Sequence, residues 1–281
     1  MSISGINSSL NQLNRAQALQ ARSIERIATG SKHSSAAYGA SEYAIAQRME
    51  YNLGGIRQSN TNTQNSNAML NVAAGAVSNT VSSLSSLRET LINAANGTNQ
   101  SSDLSALQQT VNQTLSQINT NAQATYNGQT LLDGSQTVTV AGIDGYDNVS
   151  LGDMSTAGLG LTDSQGNSNI NLTDQSSISS ALTTVDNALN AALDQATSIG
   201  AAQQGLDYQS ANYTTMEENL QYSLSVTDDT DIAAESITNA SAKTQSQAAL
   251  FAVKQGLQNF SQQMLGTLNN HSRGAAYNML G

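Results

Sequence analysis

The sequence predicts a mainly α protein: a long antiparallel helical rod with terminal coiled-coil helices and a small β-hairpin insert. Three observations support this fold class. Apolar residues recur at heptad spacing near both ends, the 281 residues include no proline, and aromatic residues make up only 4%. Because proline breaks a helix interior, its absence favours long helices. A chain so poor in large apolar side chains is not expected to build a thick globular core.

The first helix is expected from about Ser4 to Ala28, with Gly30 as its stop signal. An apolar seam runs along it, and a similar seam lies near the C-terminus. Seams this thin need a partner helix. We therefore expect the two ends to pair and then to join other copies through Ile3, Ile6, Leu10, Leu13, Ile24, Ile27, Leu250, Val253, Leu257, Phe260, Met264 and Leu268.

The second helix is predicted from Glu42 to about Ala95, because a regular heptad seam interrupted only by Thr63 runs along it. The third helix should begin at the cap signal Ser101-Ser102-Asp103 and end near Asn127-Gly128. The seam of the second helix consists of Met49, Ile56, Leu70, Val77, Leu84 and Leu91.

Residues 129–177 lose the helical period and are rich in Gly, Asn and Ser, which predicts one or two short hairpins. The insert has too few apolar residues to bury much apolar surface by itself. It should therefore lie against the rod or project from it as a small surface knob. Helical periodicity returns at Ile178. The acidic group Asp228, Asp229 and Asp231 should mark the start of the last helix, where the helix dipole favours negative charge.

Charge is unevenly distributed along the chain. Residues 1–88 carry seven Lys and Arg against three acids, residues 243–281 carry three basic residues and no acid, and residues 89–242 carry seventeen acids and no basic residue. The acidic middle excludes nucleic-acid binding. The pattern favours cationic ends inside an assembly and an acidic outer face; an acidic surface that is simply solvated, with no partner, is an equally good interpretation.

The residues that carry chemistry are sparse. The chain has no cysteine, which excludes disulfides and thiolate chemistry. His33 and His271 lack the spacing of a zinc motif, and the acidic group lacks that of a calcium loop. We therefore expect no catalytic, cofactor or metal site, and no enzyme activity. We also expect no membrane span and no signal peptide, so that export would use another route.

Several sequence blocks occur in order: RSIERIATG at 22–30, AIAQRM at 44–49, LRE and AANGTN within 87–99, YNGQTLLDG at 126–134, GDM at 152–154 and SIGAAQQ at 198–204. Together they resemble bacterial flagellin along nearly the whole chain. The resemblance implies a secreted structural subunit that self-polymerises into the extracellular flagellar filament for motility. It further implies export without a cleaved signal and, as partners, other copies, a flagellar export chaperone, the filament cap and hook-junction proteins, with no nucleic acid or membrane.

The resemblance also implies a division into segments. These are an N-terminal inner coiled-coil helix and joint (1–41), the first part of a rod domain (42–133), a small outer β/loop insert (134–177), the second part of the rod (178–228) and a C-terminal inner helix with a tail (229–281).

The alternative functions are a hook–filament junction protein of the same export system and a soluble secreted adhesin or signalling ligand.

Two features depart from the family pattern. Ser261 stands where the family usually has proline. Residues 269–281 continue past the point where family members usually end. This tail either extends the inner tube that the paired terminal helices form in the family or hangs disordered in its lumen. The motif recognised by the flagellin-sensing Toll-like receptor is also degenerate, because an Arg and a Glu are replaced at Ser86 and Thr110. Each lost charge-assisted hydrogen bond is worth about 1.5–3 kcal/mol, so we expect weak or absent receptor activation; the matching positions are Ser86, Arg88, Glu89, Thr90, Leu91, Ile92 and Thr110.

The terminal helices have few apolar residues to offset the conformational entropy of ordering them. We therefore predict that residues 1–41 and 229–281 are disordered in the monomer and become helical on assembly.

Overall fold

The computed structural model describes residues 3–143, 145–163 and 165–279, with side chains omitted for Ile3, Tyr146 and residues 270–279. Two compact units are present. The terminal unit consists of Met1–Tyr51 and Leu220–Gly281, and the central unit of Asn52–Asn219.

The mainly α prediction is confirmed, with five helices in the described residues and two antiparallel hairpins. A short 3-10 turn at Ala36–Tyr38 follows the first helix. The elements are α1 (Ile3–Thr29), α2 (Ala40–Ala94), α3 (Ser101–Ala122), β1 (Thr125–Tyr126), β2 (Gln129–Thr130), β3 (Thr137–Gly142), β4 (Gly145–Ser150), α4 (Gln175–Asp228) and α5 (Ile232–Met279).

The core of the central unit lies where the heptad pattern of α2 placed it. Thr63, at the break in that seam, is also buried, and its hydroxyl donates to the Ser59 carbonyl oxygen at 3.0 Å. A buried hydroxyl that keeps its hydrogen bond costs little, so the seam stays continuous. The buried residues of this core include Leu70, Val77, Leu84 and Leu91 of α2, Val111, Leu115 and Ile118 of α3, and Val185, Ile199 and Leu206 of α4.

The predicted end of the third helix is wrong. Helix α3 stops at Ala122, and Asn127 and Gly128 instead form the two-residue turn between β1 and β2. Both have positive φ, 50° and 81°, as a type I′ hairpin turn requires. The Asn-Gly pair was therefore a hairpin signal and not a helix stop.

The insert lies against the core of the central unit. In β3, Val138 and Val140 alternate with exposed threonines and turn inward. After β4, an irregular segment adds a second set of buried apolar residues to the same cluster, namely Leu151, Met154, Leu159, Leu161, Ile170 and Leu172. These contacts explain how so small a hairpin, marginal by itself, is held in place.

Gly142 at the end of β3 makes room for Tyr213 of α4. The Tyr213 side chain is fully buried, and within the described residues its hydroxyl has no hydrogen-bond partner. A Cβ atom at position 142 would overlap that hydroxyl but would lie 3.5 Å from the ring carbon that bears it. The close approach therefore depends on the glycine.

We expect Gly142→Ala to lower the free energy of unfolding by about 1–3 kcal/mol, because overpacking forces neighbouring atoms to move. Tyr213→Phe removes an unpartnered buried hydroxyl and should be neutral or stabilising. It should also rescue Gly142→Ala in the double variant. The matched control is Gly75→Ala on α2, where nothing lies within 4 Å and alanine should stabilise the helix by about 1 kcal/mol. Urea unfolding measures all four; a destabilised double variant would contradict the explanation.

Candidate functional site

The terminal unit is built on the pairing of α1 with α5. The end of α1 lies beside the start of α5, so the two helices run antiparallel. At this end the Ser23 hydroxyl donates to Glu235 Oε1 at 2.9 Å, and Arg26 Nη1 lies 3.7 Å from the same oxygen. The polar contacts of the pair therefore include one carboxylate of α5 that holds two side chains of α1.

A joint after α1 ties this end of the pair to the turn between α4 and α5. Gly30 ends α1 with φ 73°, and its carbonyl oxygen accepts from the Thr230 amide at 2.8 Å. The Lys32 amide donates to the Asp228 carbonyl oxygen at 2.6 Å. The His33 amide donates to Asp228 Oδ1 at 3.0 Å, and His33 Nδ1 lies 3.3 Å from the same atom.

Only one of the three acids expected at the start of the last helix caps it. Asp231 Oδ1 accepts from the amides of Ala233 and Ala234, each at 3.0 Å. Asp228 instead ends α4 and binds the joint, and Asp229 forms an isolated β-bridge with Ser31. The capping interpretation is therefore correct for Asp231 and wrong for the other two.

Glu25 on α1 accepts hydrogen bonds from two further residues of the joint. The hydroxyls of Ser34 and Tyr38 each donate to its carboxylate at 2.8 Å, and the Arg22 guanidinium lies 4.7 Å from the centre of the Tyr38 ring. The hydrogen bond from Ser34, followed by that from Tyr38, lowers the pKa of Glu25. Its bond to Glu25 raises the pKa of Tyr38. The network thus favours an ionised Glu25 and a neutral Tyr38.

Small residues line most of the interface within the helix pair. Ala16 and Ser23 of α1 are buried, as are Ala242, Ala249 and Gly256 of α5. Sequence reasoning missed this face because it searched for large apolar residues. Small residues at heptad spacing were the signal that could have revealed it.

The predicted apolar seam is divided between two faces. Leu13 is buried, and Ile6, Ile27, Val253 and Phe260 are half-buried. The other large members, which we call the outer apolar residues, keep between 44% and 70% of their surface exposed: Leu10, Ile24, Leu250, Leu257, Met264 and Leu268. The side chain of Ile3 lies outside the described residues.

The C-terminal departures do not interrupt α5. The helix passes through the exposed Ser261 and continues to Met279, so the described part of the 269–281 tail is helical. A serine keeps the backbone N–H that proline would remove from the helix.

The degenerate receptor motif lies on α2 and α3 in the central unit. Ser86, Glu89, Ile92 and Thr110 are exposed, Arg88 and Thr90 are half-buried, and Leu91 is fully buried. Arg88 Nε donates to Asp186 Oδ1 at 2.7 Å. The structure thus brings the surviving arginine into an intrachain ion pair.

The central unit is strongly acidic. Residues 52–219 contain thirteen Asp and Glu but only two basic residues, Arg57 and Arg88. Arg57 also forms an ion pair, with Glu217 at 2.7 Å. Both cations are therefore paired, while most of the acids face solvent.

The described residues contain no group of three His, Cys, Asp or Glu side chains placed to hold a metal ion. They also contain no helix that is both long enough and apolar enough to cross a membrane. A groove of about 410 Å³ between α3 and residues 171–173 is lined by Ser101, Leu104, Ser105, Gln108, Asn171, Leu172 and Thr173, which include no titratable group.

Two family models match the chain. The model of the bacterial flagellin N-terminal helical region matches residues 5–137, and that of the C-terminal helical region matches residues 182–268. The second match ends before the tail.

Individual proteins give the same result. A flagellin of Salmonella muenchen is 32% identical over 155 residues, which cover 54% of this chain and 31% of that protein. A flagellin of Clostridium tyrobutyricum is 30% identical over 154 residues, covering 54% of this chain and 41% of that protein. The chain thus spans well under half the length of these curated relatives.

A solved structure of a putative flagellar hook-associated protein from Vibrio parahaemolyticus is similar with a TM-score of 0.54 and 18% identity, over 68% of this chain and 99% of that one. At this identity the likeness concerns the fold alone.

Proposed function

Because the chain belongs to the bacterial flagellin family, we propose that it is a structural subunit that polymerises into the extracellular flagellar filament used for motility. The observation that carries this proposal is the distribution of exposed apolar side chains. Fifteen of the twenty large hydrophobic residues exposed in the described chain belong to the terminal unit. Exposed apolar side chains concentrated in one part of a protein are typical of an interaction site.

The predicted segments acquire roles under this proposal. Residues 1–41 and 229–281 provide the polymerisation surfaces, residues 42–133 and 178–228 form the packed rod, and residues 134–177 form the small outer insert. The terminal and central units meet at slightly different positions, 51/52 and 219/220. The acidic charge of the central unit supports its placement on the outer surface of the proposed filament, since net charge keeps the surface of a polymer soluble.

The family also suggests the partners. We infer that the chain is exported through the flagellar secretion channel. Before assembly, an export chaperone would cover the exposed apolar residues of α5. The subunit would then add beneath the filament cap, at the tip of a filament that starts on the hook-junction proteins. The acidic central unit argues against nucleic acid as a partner.

Appendages sheared from cells and pelleted should contain this chain as the dominant protein, because a filament subunit is present in many copies. The measurement is a stained gel of pellet and supernatant, with a cytosolic protein as the control for lysis. A trace amount in the pellet would favour a junction protein, and a chain left in the supernatant would favour a soluble ligand. Either result would overturn the filament proposal.

We further expect weak or absent activation of the flagellin-sensing Toll-like receptor. Leu91 is fully buried and so is not available to a receptor, and Arg88 is already paired with Asp186 at 2.7 Å. A reporter-cell assay of the depolymerised subunit measures this. Restoring charge with Ser86→Arg and Thr110→Glu should raise potency, and each restored bond is worth about 1.5–3 kcal/mol. Potency equal to that of a strongly stimulating flagellin without these changes would contradict the expectation.

A further inference from the structure

The central unit contains two Asn-Gly pairs, Asn96-Gly97 and Asn127-Gly128. Both asparagines are exposed. Asparagine is a chemically labile residue, and a following glycine presents its backbone nitrogen without a Cβ atom to hinder the approach to the asparagine side chain. The two pairs differ in the backbone that holds them, and this difference decides which of them can react.

Asn127 is held in the turn between β1 and β2. Its φ of 50° and that of Gly128, 81°, belong to the hairpin turn, and the pairing of the two strands fixes both angles. The chain then continues into Leu131 and Leu132, which are fully buried. The Gly128 nitrogen can therefore change its position relative to the Asn127 side chain only when the hairpin opens, which costs free energy.

Asn96 lies in a more open link. Residues 95–100, which join α2 to α3, form turns and irregular backbone, and Asn96, Gly97 and Thr98 are all exposed. A Cβ atom at Gly97 would meet nothing within 4 Å. The Thr98 amide donates to Asn96 Oδ1 at 3.4 Å. Because this bond spans Gly97, it turns the side-chain carbonyl back toward the Gly97 nitrogen, and so long a bond is too weak to lock it there.

We propose that Asn96 is a site of spontaneous deamidation in the folded chain and that the hairpin protects Asn127 from the same reaction. The Gly97 nitrogen loses its proton and attacks Cγ of Asn96, which closes a five-membered imide ring. The Cγ–Nδ2 bond breaks, and the amide group takes up the proton and leaves as ammonia. The Thr98 N–H stabilises the side-chain oxygen while that oxygen gains negative charge during the attack.

Water completes the reaction. One water molecule adds to either carbonyl carbon of the imide and opens the ring, which gives aspartate or isoaspartate at position 96. The net change is the uptake of one water and the loss of one ammonia, with no oxidation or reduction. Water is the only co-reactant, and the exposed link gives it free access.

The product changes both the charge and the backbone of the link. The new carboxylate lies just past the C-terminal end of α2, where the helix dipole disfavours negative charge. In isoaspartate the chain runs through the side chain and gains one methylene. The main-chain carbonyl of Asn96, which accepts from the Asn99 amide at 3.2 Å, then becomes the free carboxylate. We therefore expect the link between α2 and α3 to loosen while the core stays folded.

Incubation of the intact chain in mildly alkaline buffer tests the proposal. Peptide mapping by mass spectrometry follows each asparagine over time, and an isoaspartyl methyltransferase measures isoaspartate independently. Under native conditions Asn96 should convert and Asn127 should not. In urea, which unfolds the hairpin, the two should convert at similar rates. Native conversion of Asn127 at the rate of Asn96, or an Asn96 that converts in urea but not under native conditions, would overturn the proposal.

Gly97→Ala is the matched variant. The φ of Gly97 is not in the left-handed region, and a Cβ atom has open space there, so the variant should fold normally by circular dichroism. The added Cβ atom hinders the attacking nitrogen, and conversion of Asn96 should slow at least several-fold. An undiminished rate would show that the Gly97 nitrogen is not the nucleophile and would also overturn the proposal.

Discussion

Substituting glutamine for both Leu250 and Leu257 should prevent polymerisation at concentrations at which the unmodified subunit polymerises. About half of each leucine is exposed within the chain. Covering that remainder in a polymer contributes about 1.5–3 kcal/mol per subunit for the two residues together. Glutamine removes this gain and adds the cost of burying an amide. The critical concentration, measured by sedimentation, should therefore rise at least roughly tenfold.

The control for this variant lies in the central unit. Ile92→Gln with Leu193→Gln makes the same chemical change at two residues that are similarly exposed, 49% and 45%. It should leave the critical concentration unchanged, because these residues are outside the proposed polymerisation surface. If the α5 variant polymerises like the unmodified chain, the assignment of this face is wrong.

Amide hydrogen exchange should differ by several orders of magnitude between the two units of the free subunit. Helix α1 buries few residues, among them Leu13, Ala16 and Ser23, whereas the α2 seam from Leu70 to Leu91 is completely buried. Helices without a substantial apolar interface are marginal in water, and exchange follows such local stability. We expect rapid exchange in residues 3–29 and 232–279 and slow exchange in residues 70–94.

Polymerisation should largely remove that difference, because neighbouring copies then cover the exposed faces of α1 and α5 and slow their exchange. Mass spectrometry of peptides from dilute depolymerised subunit and from polymer measures both states, with residues 70–94 as the internal reference. Equal protection of α1 and α2 in the dilute subunit would contradict the prediction of disordered ends.

Sequence reasoning succeeded for the fold where periodicity was strong and local. The α2 seam repeats every seven residues, and every member from Ile56 to Leu91 is buried. The end of α3 was missed because Asn-Gly stops a helix and turns a hairpin equally well. The choice depends on strand pairing between Thr125 and Thr130, which lies outside any helical pattern.

The sequence predicted which apolar residues belong to the terminal helix pair, but not which of them face the opposing helix and which face solvent. Steps of three and four place Leu10 and Leu13 on adjoining parts of one helix face, and the opposing helix decides which is buried. That helix presents Ala242, Ala249 and Gly256, which an apolar seam search ignores. The long-range bonding of the joint carries no signal in sequence either, since the bond from Lys32 to Asp228 joins backbone groups 196 positions apart.

The small residues between α1 and α5 have a mechanical consequence. An interface of alanine, serine and glycine has few of the large knobs that lock one helix into the holes of another. Polar contacts that fix the axial register between the two helices lie at one end, where Ser23 and Arg26 hold Glu235. Away from that anchor we expect the pair to tolerate small sliding offsets more readily than an interface built only of large interlocking side chains would.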